Sequence, residues 1–293
     1  MKMEGNNSRQ TLPVSVVIAT LAGAELEQTI QYLRNGLSVP GEILVCIPEG
    51  VTPQANIVED ECVRIVWTPC RGQVAQRAIG LTQAKSDYVM QMDDDVVLSE
   101  TSIGLLYDAF VKLGPRNAVS PLFMNADTQE YLTQYERSIK GFVKSLMASL
   151  IGGAPWGHRR MGKVDKAGIP YAVDRRFVSA NALVEAQWVP GGCVICHRDD
   201  LVLENYYPFA GKAYSEDVIH SLLWRRKGVR LWVASNVSIA THLAPMPATF
   251  KSISADHQAR LHVVALNDGH AWRCRLWFVL SLMRLSLRSL FRK

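Results

Sequence analysis

Apolar blocks alternate with amphipathic ones through the first third of the chain. "VSVVIAT", residues 14 to 20, is a continuous β-branched run and predicts a strand buried on both faces. Leu26, Ile30 and Leu33 then fall at helical spacing, in a segment ending at Gly36. "GEILVCIPEG" (41 to 50) and "VRIVWTP" (63 to 69) predict a second and a third strand. Val74, Ala78 and Leu81 mark a helix, and "DYVMQM" (87 to 92) predicts a fourth strand. Further on, "SIGLLYDAFVKLG" (102 to 114) reads as a helix and 118 to 124 as a strand. Residues 126 to 151 carry a helical pattern, and the Gly/Arg/Lys-rich stretch 152 to 180 reads as loop. Strand character returns in "ALVEAQWVPGGCVICHRDDL", "SEDVIHSLLWRRKG" (215 to 228) is helical, and "VRLWVASNVSIATH" reads as one strand or two short ones. Strands alternating with helices predict an α/β fold around a mainly parallel, doubly wound sheet. Ligands of such folds bind beyond the carboxyl ends of the strands.

The last segment, "AWRCRLWFVLSLMRLSLRSLFRK", is helical in pattern. Leu276, Val279, Leu280, Met283, Leu287 and Leu290 share one face, with Arg273, Arg284, Arg288 and Arg292 on an adjacent one. Its uncharged run, Leu276 to Met283, is too short to span a bilayer. A basic amphipathic helix of this kind suits an anionic membrane surface; docking on its own domain or on a partner is the alternative. The expected division is therefore a polar segment at 1 to 13, an α/β domain at 14 to 250 with halves at 14 to 100 and 101 to 250, and C-terminal amphipathic helices at 251 to 293.

Composition adds little to this picture except at the margins. Of 293 residues 48% are hydrophobic, enough for a large core, and the formal net charge is +5. The tail from Arg273 contains only basic charged residues, so the excess is local and nucleic-acid binding is not indicated. Six scattered cysteines and a polar N-terminal stretch without an apolar signal core point to the cytoplasm. "CVICH" (193 to 197) spells a haem-attachment pattern, but in a strand Cys193 and Cys196 face opposite sides, and two half-buried thiols are expected.

"MDDDVV" carries the chemistry. Three adjacent carboxylates, Asp93, Asp94 and Asp95, follow a buried strand and repel one another unless a cation is present. Carboxylate oxygens suit Mg²⁺ or Mn²⁺. Strand alternation would point Asp93 and Asp95 one way and Asp94 the other. An ion and a diphosphate could share the site so formed.

The order of these motifs, from "VSVVIAT" through "GQVAQRAIGL" and "AKSDYVMQMDDDVVL" to "VPGGCVICHRDDL" and "YSEDVIHSLLWRRKGVRLWV", resembles the family 2 glycosyltransferases of GT-A fold over roughly residues 14 to 242. The resemblance implies a metal-dependent, inverting transfer of a sugar from a nucleotide-diphosphate donor. Thr20, Glu49, Arg77, Asp93 and Asp94 would contact the nucleotide-sugar. Asp95 and His242 would face the metal, Mn²⁺ or Mg²⁺. Asp217 would be the general base, with Glu216 beside it, and Trp188, Gly191 and Gly192 would lie on the acceptor side. Two departures stand out. Glu49 lies one place beyond the usual acidic position after the second strand, and Ala78 follows Arg77 where Asn is common. The Q-x-x-R-W pattern of processive synthases is absent, which implies single additions. By the same resemblance the donor is a UDP-sugar, and the acceptor is a glycan or a polyprenyl-diphosphate-linked chain in surface-polysaccharide assembly. The enzyme would work on the inner face of the cell membrane.

Two other readings share the fold. A nucleotidyltransferase would carry a basic residue in the loop after the first strand, which "ATLAGAEL" lacks. A catalytically lapsed membrane scaffold would explain the altered "CIPEG" segment. The basic loop His158, Arg159, Arg160, Lys163 and Lys166 is expected to be a solvated charge run, or else to close over diphosphate or lipid head groups.

Overall fold

A computed structural model describes residues 9–135, 138–209, 211–242 and 248–290, with side chains to residue 286. Along the chain run β1 (Gln10–Ala19), α1 (Glu25–Asn35), β2 (Ser38–Pro48), β3 (Val63–Thr68), α2 (Gln73–Gln83), β4 (Tyr88–Met92), β5 (Val96–Val97), α3 (Ser102–Leu113) and β6 (Asn117–Asn125). Then come α4 (Ile139–Met147), β7 (Leu183–Ala186), β8 (Cys193–His197), α5 (Glu216–Arg226), β9 (Arg230–Thr241), α6 (Phe250–Leu266) and α7 (Ala271–Leu290).

All nine strands form one sheet in the order β3-β2-β1-β4-β8-β6-β9-β5, with β7 also on β9. From β3 to β4 every pairing is parallel. β8 enters antiparallel between β4 and β6, and β9 returns parallel to β6. The parallel expectation therefore holds for the first half, while the second half is mixed.

The apolar runs bury both faces of the sheet, as continuous β-branched strands require. Val14, Val16 and Ile18 pack with Leu26, Ile30 and Leu33 of α1 and with Leu106 and Phe110 of α3. Val17, Leu44 and Cys46 pack on the other face with Leu81 of α2 and Trp224 of α5. The same alternation separates the "CVICH" thiols: Cys193 belongs to the first layer and Cys196 to the second. Both are fully buried rather than half-buried, and burial pushes both thiols well above their usual range.

One segment differs from the expectation. Residues 126 to 151 are not one helix: a turn at 126–128 leads into the Met124–Tyr131 bridge, and α4 begins only at Ile139, extended through one wide turn at Ala148–Gly152. Ser138 caps α4, its hydroxyl accepting from the Gly141 amide, and so sets the start. The C-terminal segment forms helices, as expected, and there are two of them. Thr249 and Ser252 form a reciprocal cap on α6, and Ala259, Val263 and Val264 bury one side of it. α7 docks on α6 by its first turns, burying Cys274, while Arg273 donates to the carbonyls of Leu150 and Ile151. Trp272, Leu276, Val279 and Met283 remain exposed. The side chains of Leu287, Arg288, Leu290 and Arg292 lie outside the described residues. Among the described residues no helix is long and apolar enough to cross a membrane.

Candidate active site

The sheet's order places the carboxyl ends of β1 and β4 side by side, and a cleft of about 740 Å³ opens there. Its walls include Thr20 after β1, Gln73 and Gln76 at the start of α2, the three aspartates, and the segment Gly211–Ala213. The strand ends at Met92, so Asp93, Asp94 and Asp95 form a turn and strand alternation does not apply to them. All three line the cleft, not two.

Each aspartate is held by a different element. Asp93 Oδ1 accepts from Gln73 Nε2 at 2.8 Å and from Arg77 Nη2 at 3.2 Å. The Asp94 carboxylate accepts from the Thr20 hydroxyl, which itself accepts from the Ala22 amide at 2.7 Å. Asp95 Oδ2 accepts from Thr241 Oγ1 at 3.1 Å. Burial, resisted by Arg77, lifts the Asp93 carboxyl to about 6, and burial also raises Asp94.

Beneath the aspartates lies a buried ion-pair network. Arg77 on α2 is 2% exposed, and its Nη1 donates to Glu216 Oε1 at 2.7 Å. Tyr206 donates its hydroxyl to the same Glu216 oxygen. The Arg77 guanidinium is thus engaged by Glu216 and Asp93 beneath the cleft, not offered to a diphosphate as the sequence suggested. Glu216 is likewise a partner of that cation, 6% exposed, and not an open acceptor-side group.

Asp217, next along at the start of α5, is left outside this network. Its carboxylate accepts from the amide of Val218 at 2.9 Å, and among the described residues no cation pairs with it. Burial and the neighbouring Glu216 raise it to about 7. The turn before β8 reaches between the two acidic groups. A Cβ on Gly191 would lie 3.2 Å from Asp217 Cβ, and one on Gly192 would lie 2.9 Å from Asp93 Oδ2. Glycine is needed at 192 because no side chain fits between the backbone and that carboxylate.

The remaining expected residues lie further out. Trp188 is a core residue, 8% exposed, its Nε1 donating to the Tyr171 carbonyl at 3.2 Å. With Pro190 it lines an apolar cavity of about 240 Å³. Glu49 is exposed just beyond β2 and outside the lining of the cleft. His242 is exposed with Nδ1 3.1 Å from Asp127 Oδ1, and it is Thr241, one residue earlier, that bonds Asp95. Gln73, Gln76, Thr241 and Tyr206 were not singled out from the sequence. Gln73, Gln76 and Arg77 do share one face of a helix at i, i+3, i+4 spacing, a polar stripe that marked the site-facing side.

A divalent ion fits this donor set in company. Asp93 and Asp95 each keep one carboxylate oxygen outside the bonds named above, the hard donors that Mg²⁺ or Mn²⁺ takes. Among the described residues no three His, Cys, Asp or Glu side chains form a cage, so phosphate oxygens and water would complete the shell.

A model of the family described as Glycosyl transferase family 2 matches residues 49–166. No curated protein matches the chain. Among solved structures, the fold aligns with "Crystal structure of GalNAc-T7 with UDP, GalNAc and Mn2+" at a TM-score of 0.57 and 14% identity, over 86% of this chain and 48% of that one. The chain therefore spans about half the length of that relative. It also aligns with "Crystal Structure of a Mycobacterial Protein" at a TM-score of 0.51 and 14% identity, over 90% of this chain and 76% of that one. At that identity the alignments speak for the fold. The family match runs through the aspartate turn, so residues 49–166 resemble the family 2 glycosyltransferases, on a fold shared with both solved structures.

Proposed function

We propose that the enzyme transfers a sugar from a nucleoside-diphosphate donor, a UDP-sugar first among them, to the hydroxyl of a glycan or lipid-linked acceptor with inversion, Asp217 serving as general base. One observation carries this reading: of the two adjacent acids opening α5, Glu216 is neutralised by Arg77, while Asp217 is unpaired and sits near 7. A carboxylate with that affinity for protons can accept one from an attacking hydroxyl at neutral pH.

The other side chains divide the remaining work. Thr20, Gln73 and Gln76 would flank the nucleotide, and the N-terminus of α2 lies at the cleft, where a diphosphate would suit it. An Mg²⁺ or Mn²⁺ ion held by Asp95 and Asp93 would offset the charge of the departing diphosphate. Thr241 and Arg77 fix the orientation of those two carboxylates. Gly191 and Gly192 let the acceptor-side turn approach both acids. The exposed apolar residues of α7, with Arg275 and Arg284 beside them, suit the anionic inner face of a membrane and a role in surface-polysaccharide assembly.

Calorimetric titration with UDP, GDP, CDP and dTDP, each with Mn²⁺ and with EDTA, tests the donor side. Binding of one nucleotide only in the presence of metal is expected. Failure of folded protein to bind any of them would overturn the reading.

A further inference from the structure

Arg160, one of the residues expected to sit in a solvated basic loop, is instead 6% exposed. Its guanidinium carbon lies 5.0 Å from the ring centroid of Tyr135 and 5.0 Å from that of Tyr171. Aromatic faces stabilise a cation from above its plane and leave its in-plane N–H groups unsatisfied. Arg160 Nε and Nη1 have no hydrogen-bond partner, and no carboxylate among the described residues pairs with it. A buried charge in that condition is costly unless a ligand supplies the counter-charge.

The room for such a ligand is present. Arg160 lines a cavity of about 470 Å³ together with Trp156, His158, Phe142 and Phe177. Phe142 belongs to α4, whose outward side exposes Ile139, Val143, Leu146 and Leu150. A cationic pocket and an exposed apolar helix face thus adjoin. Behind the pocket, Tyr171, whose ring packs on Arg160, accepts at its carbonyl from Trp188 Nε1, three residues before Gly191, which packs against Asp217.

We propose that this cavity binds a phosphate or diphosphate group carried on an apolar chain, with Arg160 as its anion anchor and the exposed face of α4 receiving the chain. The planar guanidinium edge suits phosphate oxygens. Identifying that amphiphile as the acceptor rests on the function proposed above; the phosphate site itself does not.

The test is calorimetry in EDTA, with inorganic diphosphate and farnesyl diphosphate as probes, on the full chain and on Asp95→Asn. Farnesyl diphosphate should bind both proteins, about tenfold or more tighter than inorganic diphosphate. Arg160→Gln should weaken both probes by about tenfold or more. Phe142→Ser, at a side chain 59% exposed that threatens no core, should remove the preference for the farnesyl probe and spare inorganic diphosphate. Equal affinity for the two probes would overturn the lipid-borne assignment. Absence of binding by folded wild-type protein, or undiminished binding by Arg160→Gln, would overturn the site. Mn²⁺-dependent UDP binding, measured alongside, should survive Arg160→Gln and vanish in Asp95→Asn, so failure of the donor reading is recognised separately.

Discussion

The proposed mechanism concentrates the chemistry in one carboxyl group, that of Asp217. Asp217→Asn should lower turnover by about 10²- to 10⁴-fold while UDP affinity stays within a few-fold, as measured by steady-state kinetics and calorimetry. Because the base must be ionised, kcat/KM of the wild type should rise about tenfold per pH unit below about 7 and level off above it. Stability runs the other way. The folded chain retains the Asp217 proton that the unfolded chain sheds near its ordinary value of 3.8, so stability falls as pH rises from there to about 7. Asp217→Asn should flatten that slope and raise the melting temperature at neutral pH. Gly192→Ala tests the close approach: with Asp93 Oδ2 at 2.9 Å and Phe123 Cε1 at 3.1 Å from the added carbon, it should cost about 1–3 kcal/mol in chemical denaturation and depress transfer. At this scale the sequence was half legible. Acidic residues after a buried strand announced a site, and "SED" offered an acid at a helix start. Which acid was free was hidden, because the Arg77–Glu216 bond joins positions 139 residues apart. The orientation of the aspartates was hidden too, since alternation lapses wherever a strand gives way to a turn.

At the scale of elements, α2 does more than cover the sheet. One helical face delivers Gln73 to Asp93, Gln76 to the carbonyls of Thr20 and Cys46, and Arg77 to two carboxylates. Arg77→Met should destabilise the fold by about 3–5 kcal/mol in urea titration, because Glu216 and Asp93 lose the cation that justifies their burial. A double variant with Glu216→Gln should recover part of that loss, as shared networks are not additive. The strands of the first half and helices α1, α2, α3 and α5 were readable because their apolar spacing is dictated by burial on known faces. The stretch around α4 was not: Ile139, Phe142, Val143 and Leu146 have helical spacing yet face outward, so periodicity there described a surface rather than a core. α6 escaped separate notice for a related reason, its buried side being limited to Ala259, Val263 and Val264.

For the whole molecule, the membrane assignment is a matter of which surface stays uncovered. Replacing Leu276, Val279 and Met283 together by Glu leaves the docked first turn of α7 intact. It should abolish co-sedimentation with anionic vesicles while Mn²⁺-dependent UDP binding persists; unchanged sedimentation would move the contact to α4. The position of β8 has a different consequence, for synthesis. Met92 finds its partner in Cys193, so one edge of β4 cannot be sealed until about 100 further residues have been made. At translation speeds of about 5–20 residues per second the nascent N-terminal half waits roughly 5–20 s with that edge unpaired. A chaperone acting at the ribosome would meet this chain during that interval, and fragments ending before residue 193 should be insoluble even though they contain every aspartate of the cleft.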